Sequence, residues 1–174
     1  MENPSLQKQF LEAYDELSES IFRHCFFRVS NREEALDITQ EVFIKTWVYL
    51  SKGNDIQDVR AFLYKVANNR IIDHYRKKKT FSLDDILERE ENVWEPHDEG
   101  LSKDRMLHQA EIAQVLLYID KLDEPYRQVV IMRYIDGLPP QEIADIVGET
   151  PNNVSVRINR GISKLKEIIE NNGK

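Results

Sequence analysis

Apolar residues recur along the chain at intervals of three and four, the period of an amphipathic helix, and runs of strict alternation are scarce. In REEALDITQEVFIKTWVYL, the residues Ala35, Ile38, Thr39, Val42, Thr46 and Leu50 share one stripe and are expected to face a core. Leu63, Ala67 and Ile71 repeat every fourth residue through VRAFLYKVANNRIIDHYRKKK and mark the buried side of another helix. Ile112, Val115, Leu116 and Ile119 give a further stripe, and a helix follows from Pro125 through Val129, Val130, Arg133 and Tyr134 to a stop at Asp136–Gly137. The segment LPPQEIADIVGETPNNVSVRINRGISKLKEIIE then reads as a short helix broken at Gly148 and a longer one opened by Pro151. Proline's missing N–H costs nothing in a first helical turn. Val154, Ile158, Gly161, Ile162, Leu165 and Ile169 form the apolar stripe of that last helix. An all-α chain is predicted.

The polar sides of these helices carry the functional information. Two helices joined by three or four residues with a glycine, the second presenting Asn152, Val156, Asn159, Arg160 and Ser163 away from its apolar stripe, have the helix-turn-helix arrangement of DNA readers. A plain helical hairpin with a solvated face gives the same spacing, but Val156 among polar residues favours a contact surface, suited to a thymine methyl group. Small Ala144 permits close helix approach. On the helix around residue 40, Asp37, Gln40, Glu41, Ile44, Trp47 and Val48 lie opposite the core stripe. An aromatic anchor among acids and aliphatics suits a protein interface, or else this helix is central and buried on both sides. On the helix around residue 70, Lys65, Asn69, Asp73 and Arg76 stand away from the core, with Phe62, Tyr64, His74 and Tyr75 at the flanks. Cations for phosphates, Asn and Asp for base edges and rings for stacking make a nucleic-acid face; a solvated basic helix end is the plainer alternative.

Charge sharpens this picture. The 174 residues carry a formal net charge of −7, yet Asp84 to Asp104 alone holds nine acids and two bases, so the remainder is neutral. Arg60 to Lys79 carries seven bases and one acid, and Arg157 to Lys166 carries four bases and no acid. A phosphate backbone responds to these local patches, because salt screens fields beyond about 10 Å. The acidic segment, with Pro96 and Gly100 and no sustained stripe, reads as a linker between two small helical domains. About 25 extended residues reach roughly 80–90 Å, so the halves need not touch.

Other classes fit poorly. A single cysteine, Cys25, in an apolar run is expected to be a buried, inert thiol in a reducing compartment. The start MENPSLQKQF lacks the basic and apolar regions of a signal peptide, and no apolar run is long enough to span a membrane, so a cytoplasmic location without membrane insertion is expected. His24, His74, His97 and His108 lack metal-ligand spacing, and no Gly-rich phosphate loop, paired CxxC or GxSxG occurs. Asp73 and His74 point about 100° apart on their helix, a poor start for a nuclease metal site. No enzyme activity, cofactor or metal is expected.

The runs DITQEVFIKTW and FLYKVANNRIIDHYRKKK resemble region 2 of the extracytoplasmic-function (group 4) sigma factors of the sigma-70 family, and LDEPYRQVVIMRYIDGLPPQEIADIVGETPNNVSVRINRGISKLKE resembles their region 4. The resemblance implies a region 2 domain over residues 1–82, an acidic linker over 83–108 and a helix-turn-helix region 4 domain over 109–174. It implies a subunit that directs bacterial core RNA polymerase to promoters, melts DNA and starts transcription, touching the β′ clamp helices and the β flap. Asp37, Gln40, Glu41, Phe43 and Trp47 match the polymerase-docking positions, with Phe43 at the edge of the partner face. Asn69, Arg70, Asp73, His74, Arg76 and Lys77 match the helix that recognises the −10 element, and the loop Ser51–Asp58 matches the one that captures a flipped base. Asn152, Asn153, Ser155, Val156, Arg157, Asn159 and Arg160 match the −35 reader. The recognition helix departs from many relatives at Asn153, Ser155 and Gly161, so the resemblance does not imply which −35 sequence it reads. An anti-sigma factor or another recruiting regulator is the implied partner. A self-sufficient helix-turn-helix repressor or activator is the alternative, but it needs a dimerisation seam, and no coiled-coil heptad run is present.

Overall fold

The computed structural model describes residues 4–81 and 103–172, and there the chain forms seven helices and no strand. Most of the acidic segment, residues 82–102, lies outside the described residues, His97 among them. Helix α1 (Pro4–Val29) ends where Ser30 takes a left-handed φ of 54° and donates its N–H to the Phe26 carbonyl. Asn31 then caps α2 (Arg32–Ser51): its side-chain oxygen accepts from the Glu34 N–H at 3.0 Å, a cap worth about 1 kcal/mol. Asp58 caps α3 (Val59–Phe81) in the same way, accepting from the Ala61 N–H. These three helices pack on one another around Ile21, Cys25, Ala35, Val42, Leu63, Ala67 and Ile71, each with no exposed surface. Thr39 and Thr46, buried on the α2 stripe, donate their hydroxyls to the Ala35 and Val42 carbonyls and so carry no unpaired polar atom into the core. Burial pushes the Cys25 thiol up to about 12, so it is protonated and inert at neutral pH.

The second unit comprises α4 (Lys103–Asp120), α5 (Glu124–Tyr134), α6 (Pro140–Val147) and α7 (Pro151–Asn172). Helix α4 begins inside the stretch expected as linker, and Val115, expected on its buried stripe, is 47% exposed; Ile119 and half-buried Leu116 make the contact instead. Between α6 and α7, Gly148 has the left-handed φ of 73° that a side chain rarely adopts, and its N–H closes α6 onto the Ala144 carbonyl. Thr150 then accepts from the Asn153 N–H and starts α7. Gly161 is where α7 crosses α5: a Cβ there would stand 2.8 Å from Val130 Cγ2 and 3.4 Å from Tyr126 Cβ.

The linker is long enough that the halves need not touch, yet in this structure they do. Helix α1 packs on α5 and α3 on α6, and one cluster of buried apolar side chains runs through both units. Polar residues hold the junction. His24 Nδ1 lies 2.6 Å from Asp136 Oδ2, with neither side chain exposed. Arg28, fully buried, donates to Glu124 Oε1 from Nε at 3.0 Å and to Asn68 Oδ1 at 3.2 Å. Gln128 donates to the same Asn68 oxygen at 2.6 Å, Ser30 to Asp120 at 2.7 Å, and Arg127 to the Tyr75 hydroxyl at 3.1 Å. No stripe in the sequence announces such a junction, because its members are the polar residues that a helical reading assigns to solvent.

Candidate polymerase and nucleic-acid interfaces

Three faces collect the residues singled out from the sequence. On α2, Asp37, Gln40 and Glu41 are exposed beside Leu36, Ile44 and Val48, of which Ile44 is 61% exposed. Phe43 is not at the edge of this face but in the core, 4% exposed, with its ring edge-on to Tyr14 at 4.8 Å. Trp47 is half-buried rather than free-standing, its ring 5.1 Å from that of Phe10. The helix is therefore one-sided, not buried all round, and Phe43 and Trp47 anchor α1 beneath the acidic ridge. Exposed Leu11 and Tyr14 of α1 lie outside the residues the sequence singled out; pairing α1 with α2 requires three-dimensional packing.

On α3, Asn69, Arg76 and Lys77 are exposed, and Arg70, Asp73 and His74 are half-buried. Arg70 pairs with Glu41 of α2 and lies 3.6 Å from Asp73. His74 Nε2 stands 3.1 Å from Glu34 Oε2, close but off the hydrogen-bond axis, and Lys78 Nζ stands 3.4 Å from the other Glu34 oxygen. The loop before α3 is pinned by buried Ile56 and by Asn54 donating to the Tyr49 carbonyl, and Tyr49 and Phe62 set their rings 5.0 Å apart at its base.

On α7, Asn152, Asn153, Val156, Asn159 and Arg160 are exposed as a continuous polar ridge. Ser155 turns inward and donates to the Pro151 carbonyl, and Arg157 is held by Glu149. An open groove of about 500 Å³ lies between this ridge and the start of α5, where Tyr126 carries Lys164 over its ring at 5.2 Å. Tyr126, Glu149 and Lys164 were not singled out from the sequence; Tyr126 reaches the ridge only through the crossing of α5 by α7, while Glu149 lies in the turn before α7 and Lys164 on α7 itself. Among the described residues no group of three or more metal-ligating side chains occurs, and no helix is long and apolar enough to cross a membrane.

Residues 13–81 match the family model for sigma-70 region 2, and residues 112–165 match that for sigma-70 region 4. The ECF RNA polymerase sigma factor SigW of Bacillus subtilis is 30% identical over 166 residues, covering 92% of this chain and 89% of that protein. The chain belongs to the extracytoplasmic-function sigma factors. Another relative of this sigma factor, RNA polymerase sigma factor SigZ of the same organism, is 28% identical over 91% of this chain and 86% of its own. The fold of this chain is similar to that of RpoE from Bartonella quintana, solved with the anti-sigma factor NepR, at a TM-score of 0.75 and 17% identity over 94% of this chain and 98% of that one. CnrH, solved with the cytosolic domain of CnrY, matches at 0.67 and 20% identity over 94% and 89%. As a sigma factor, the protein binds core RNA polymerase and directs promoter recognition and transcription initiation; the self-sufficient repressor is not favoured.

Proposed function

We propose that this sigma factor works by binding and strand capture alone, with no covalent step of its own, and that its contacts divide among the three faces. The acidic ridge of Asp37, Gln40 and Glu41, with Ile44 and Val48, docks on the β′ clamp helices, and the unit over residues 109–174 meets the β flap. Helix α7 enters the major groove of the −35 element, with Asn152, Asn153, Val156, Asn159 and Arg160 toward the bases. Ser155 and Arg157, held by their own neighbours, set the ridge's shape. Asn69 and Asp73 read unpaired bases of the −10 element while Arg70, His74, Arg76 and Lys77 line the backbone, and the loop Ser51–Asp58 takes a flipped base. Flipping costs a few kcal/mol, which stacking at about 1–3 kcal/mol per base offsets.

The closed packing of the two units bears on this mechanism. Promoter elements centred about 25 base pairs apart lie roughly 85 Å from one another at 3.4 Å per base pair. Helix α7, at 22 residues, is only about 33 Å long, and it packs on α6, which itself touches α3. The units therefore part on the promoter, and the segment over residues 83–108, helical from Lys103, spans the gap. An anti-sigma factor or similar regulator that holds the units together keeps the protein silent.

The observation that carries this reading is the pair of solvent-facing ridges on α3 and α7, each on its own helical unit. The test is transcription in vitro with bacterial core enzyme and a promoter library, paired with gel shifts of promoter duplex. The reading expects new start sites with core enzyme and weak duplex binding without it. Tight, polymerase-independent binding with no new transcripts contradicts it.

A further inference from the structure

Helices α2 and α3 run in opposite directions along one another, so that Glu34 meets His74 and Lys78, and Glu41, two turns farther along α2, meets Arg70. A spacing of seven residues returns both carboxylates to one side of α2. They form a short acidic row against the cationic row of α3, and they offset two of the five formal positive charges between residues 70 and 79. The two carboxylates differ in position. The Glu34 side chain is 30% exposed, lies near the start of α2 and faces two partners. The Glu41 side chain is 48% exposed, has one partner on α3, and adjoins Gln40 on the ridge assigned above to polymerase.

We propose that Glu41 is a positioning residue shared between two partners: it holds Arg70 away from DNA in the unbound sigma factor and releases it when polymerase docks on α2. This rests on the assignment of α2 to polymerase and α3 to the −10 strand. A surface that recognises an acidic ridge must offer cations, and such a cation competes with Arg70 for the same carboxylate. The competition is easily won, because a half-exposed ion pair shifts an equilibrium by no more than about fivefold. That ceiling also makes the device a bias and not a lock. Coupling between binding sites is reciprocal: a DNA phosphate that takes Arg70 frees Glu41 and tightens the grip on polymerase by the same factor. Arg70 lies nearly two turns before the cluster at residues 76–79, so releasing it extends the cationic track toward Asn69 and the base-reading positions.

The test measures binding of the full-length chain to a fluorescent single-stranded DNA of mixed sequence over a range of salt, by anisotropy. Glu41→Gln should bind about two- to fivefold more tightly than wild type and steepen the logarithmic salt dependence by about 0.7, one extra phosphate contact on a single strand. Glu33→Gln, an equal charge change at an exposed residue of the same helix, should leave that slope alone. In an Arg70→Gln background Glu41→Gln should have no effect. In the presence of saturating core polymerase, wild type and Glu41→Gln should bind the strand alike. Equal gains from Glu33→Gln and Glu41→Gln, or a gain that survives in the Arg70→Gln background, overturns the proposal. Lys77→Gln separates this from a failure of the assignment beneath it: if removing that α3 cation does not weaken binding, α3 is not the DNA face and the shared role of Glu41 falls with it.

Discussion

Asp136 offers a direct way to ask what holds the two units together. Its carboxylate reaches across to His24 with neither side chain exposed, and Asp136 Oδ1 and His24 Nε2 find no other hydrogen-bond partner among the described residues. Replacing Asp136 with Ala removes the acceptor and strands a fully buried imidazole. An unpaired buried hydrogen-bonding group costs about 1–3 kcal/mol, rising to about 3–5 kcal/mol if the lost interaction is an ion pair. In an ordinary core that cost is paid by global stability. Here the chain has an escape: parting the units restores water to His24, and likewise to Arg28, Asn68 and Gln128, whose partners also lie across the junction. Asp136→Ala should therefore expand the protein while helix content stays constant. Small-angle scattering would show the larger radius of gyration, and circular dichroism the unchanged helicity. A variant as compact as wild type that simply melts at lower temperature would refute the reasoning, since the junction would then be part of a single indivisible core.

Gly161→Ala gains about 1 kcal/mol of helix propensity but drives a methyl group into the stiff Val130 side chain at 2.8 Å, an overpacking cost of about 1–3 kcal/mol; urea denaturation should find the variant no more stable than wild type and up to about 2 kcal/mol less so, and a stabilised variant would contradict the close crossing. Arg160→Ala should cost about 1–3 kcal/mol at one base pair of the −35 element and relax preference there; a uniform loss across −35 sequences, read by transcription from a promoter library, would mark a phosphate contact instead. Burial raises the Cys25 thiol from 9.0 to about 12 and the Tyr64 hydroxyl from 10.0 to about 12. Both groups are neutral in the fold, so their contribution is complete below the unfolded values and is lost as pH rises toward 12. Denaturation midpoints should fall between about pH 9 and 12, less steeply for Cys25→Ala; an equally steep fall in that variant would show that the thiol is not the titrating group.

Helices were legible in the sequence because their apolar stripes are regular: every residue assigned to the α2 core is buried, as are Leu63, Ala67 and Ile71 of α3. The helix-turn-helix was legible because Gly148, Pro151 and the spacing of Val154 and Ile158 are local signals. The junction was not. His24, Arg28, Asn68, Gln128 and Asp136 are buried polar residues whose partners lie 40 to 112 positions away, and periodicity carries no information about such pairs. Phe43 was misplaced for a related reason. On α2 it borders both the core stripe and the partner face, and only the rings of Phe10 and Tyr14, supplied by α1, decide that it turns inward. The pairing of Arg70 with Glu41 was hidden in the same way, because charges on two helices read as two faces until the helices are laid side by side.

Two helical units packed together in the unbound chain, each carrying one of the ridges proposed above to read DNA, are expected to separate on the promoter. Single-molecule energy transfer between dyes at exposed Glu33 of α2 and Glu170 of α7 tests it most directly. A short, narrowly distributed separation is expected in the chain alone, with a lengthening by several tens of ångströms in the complex with core polymerase and promoter DNA. An unchanged distance in a complex that initiates transcription would contradict it.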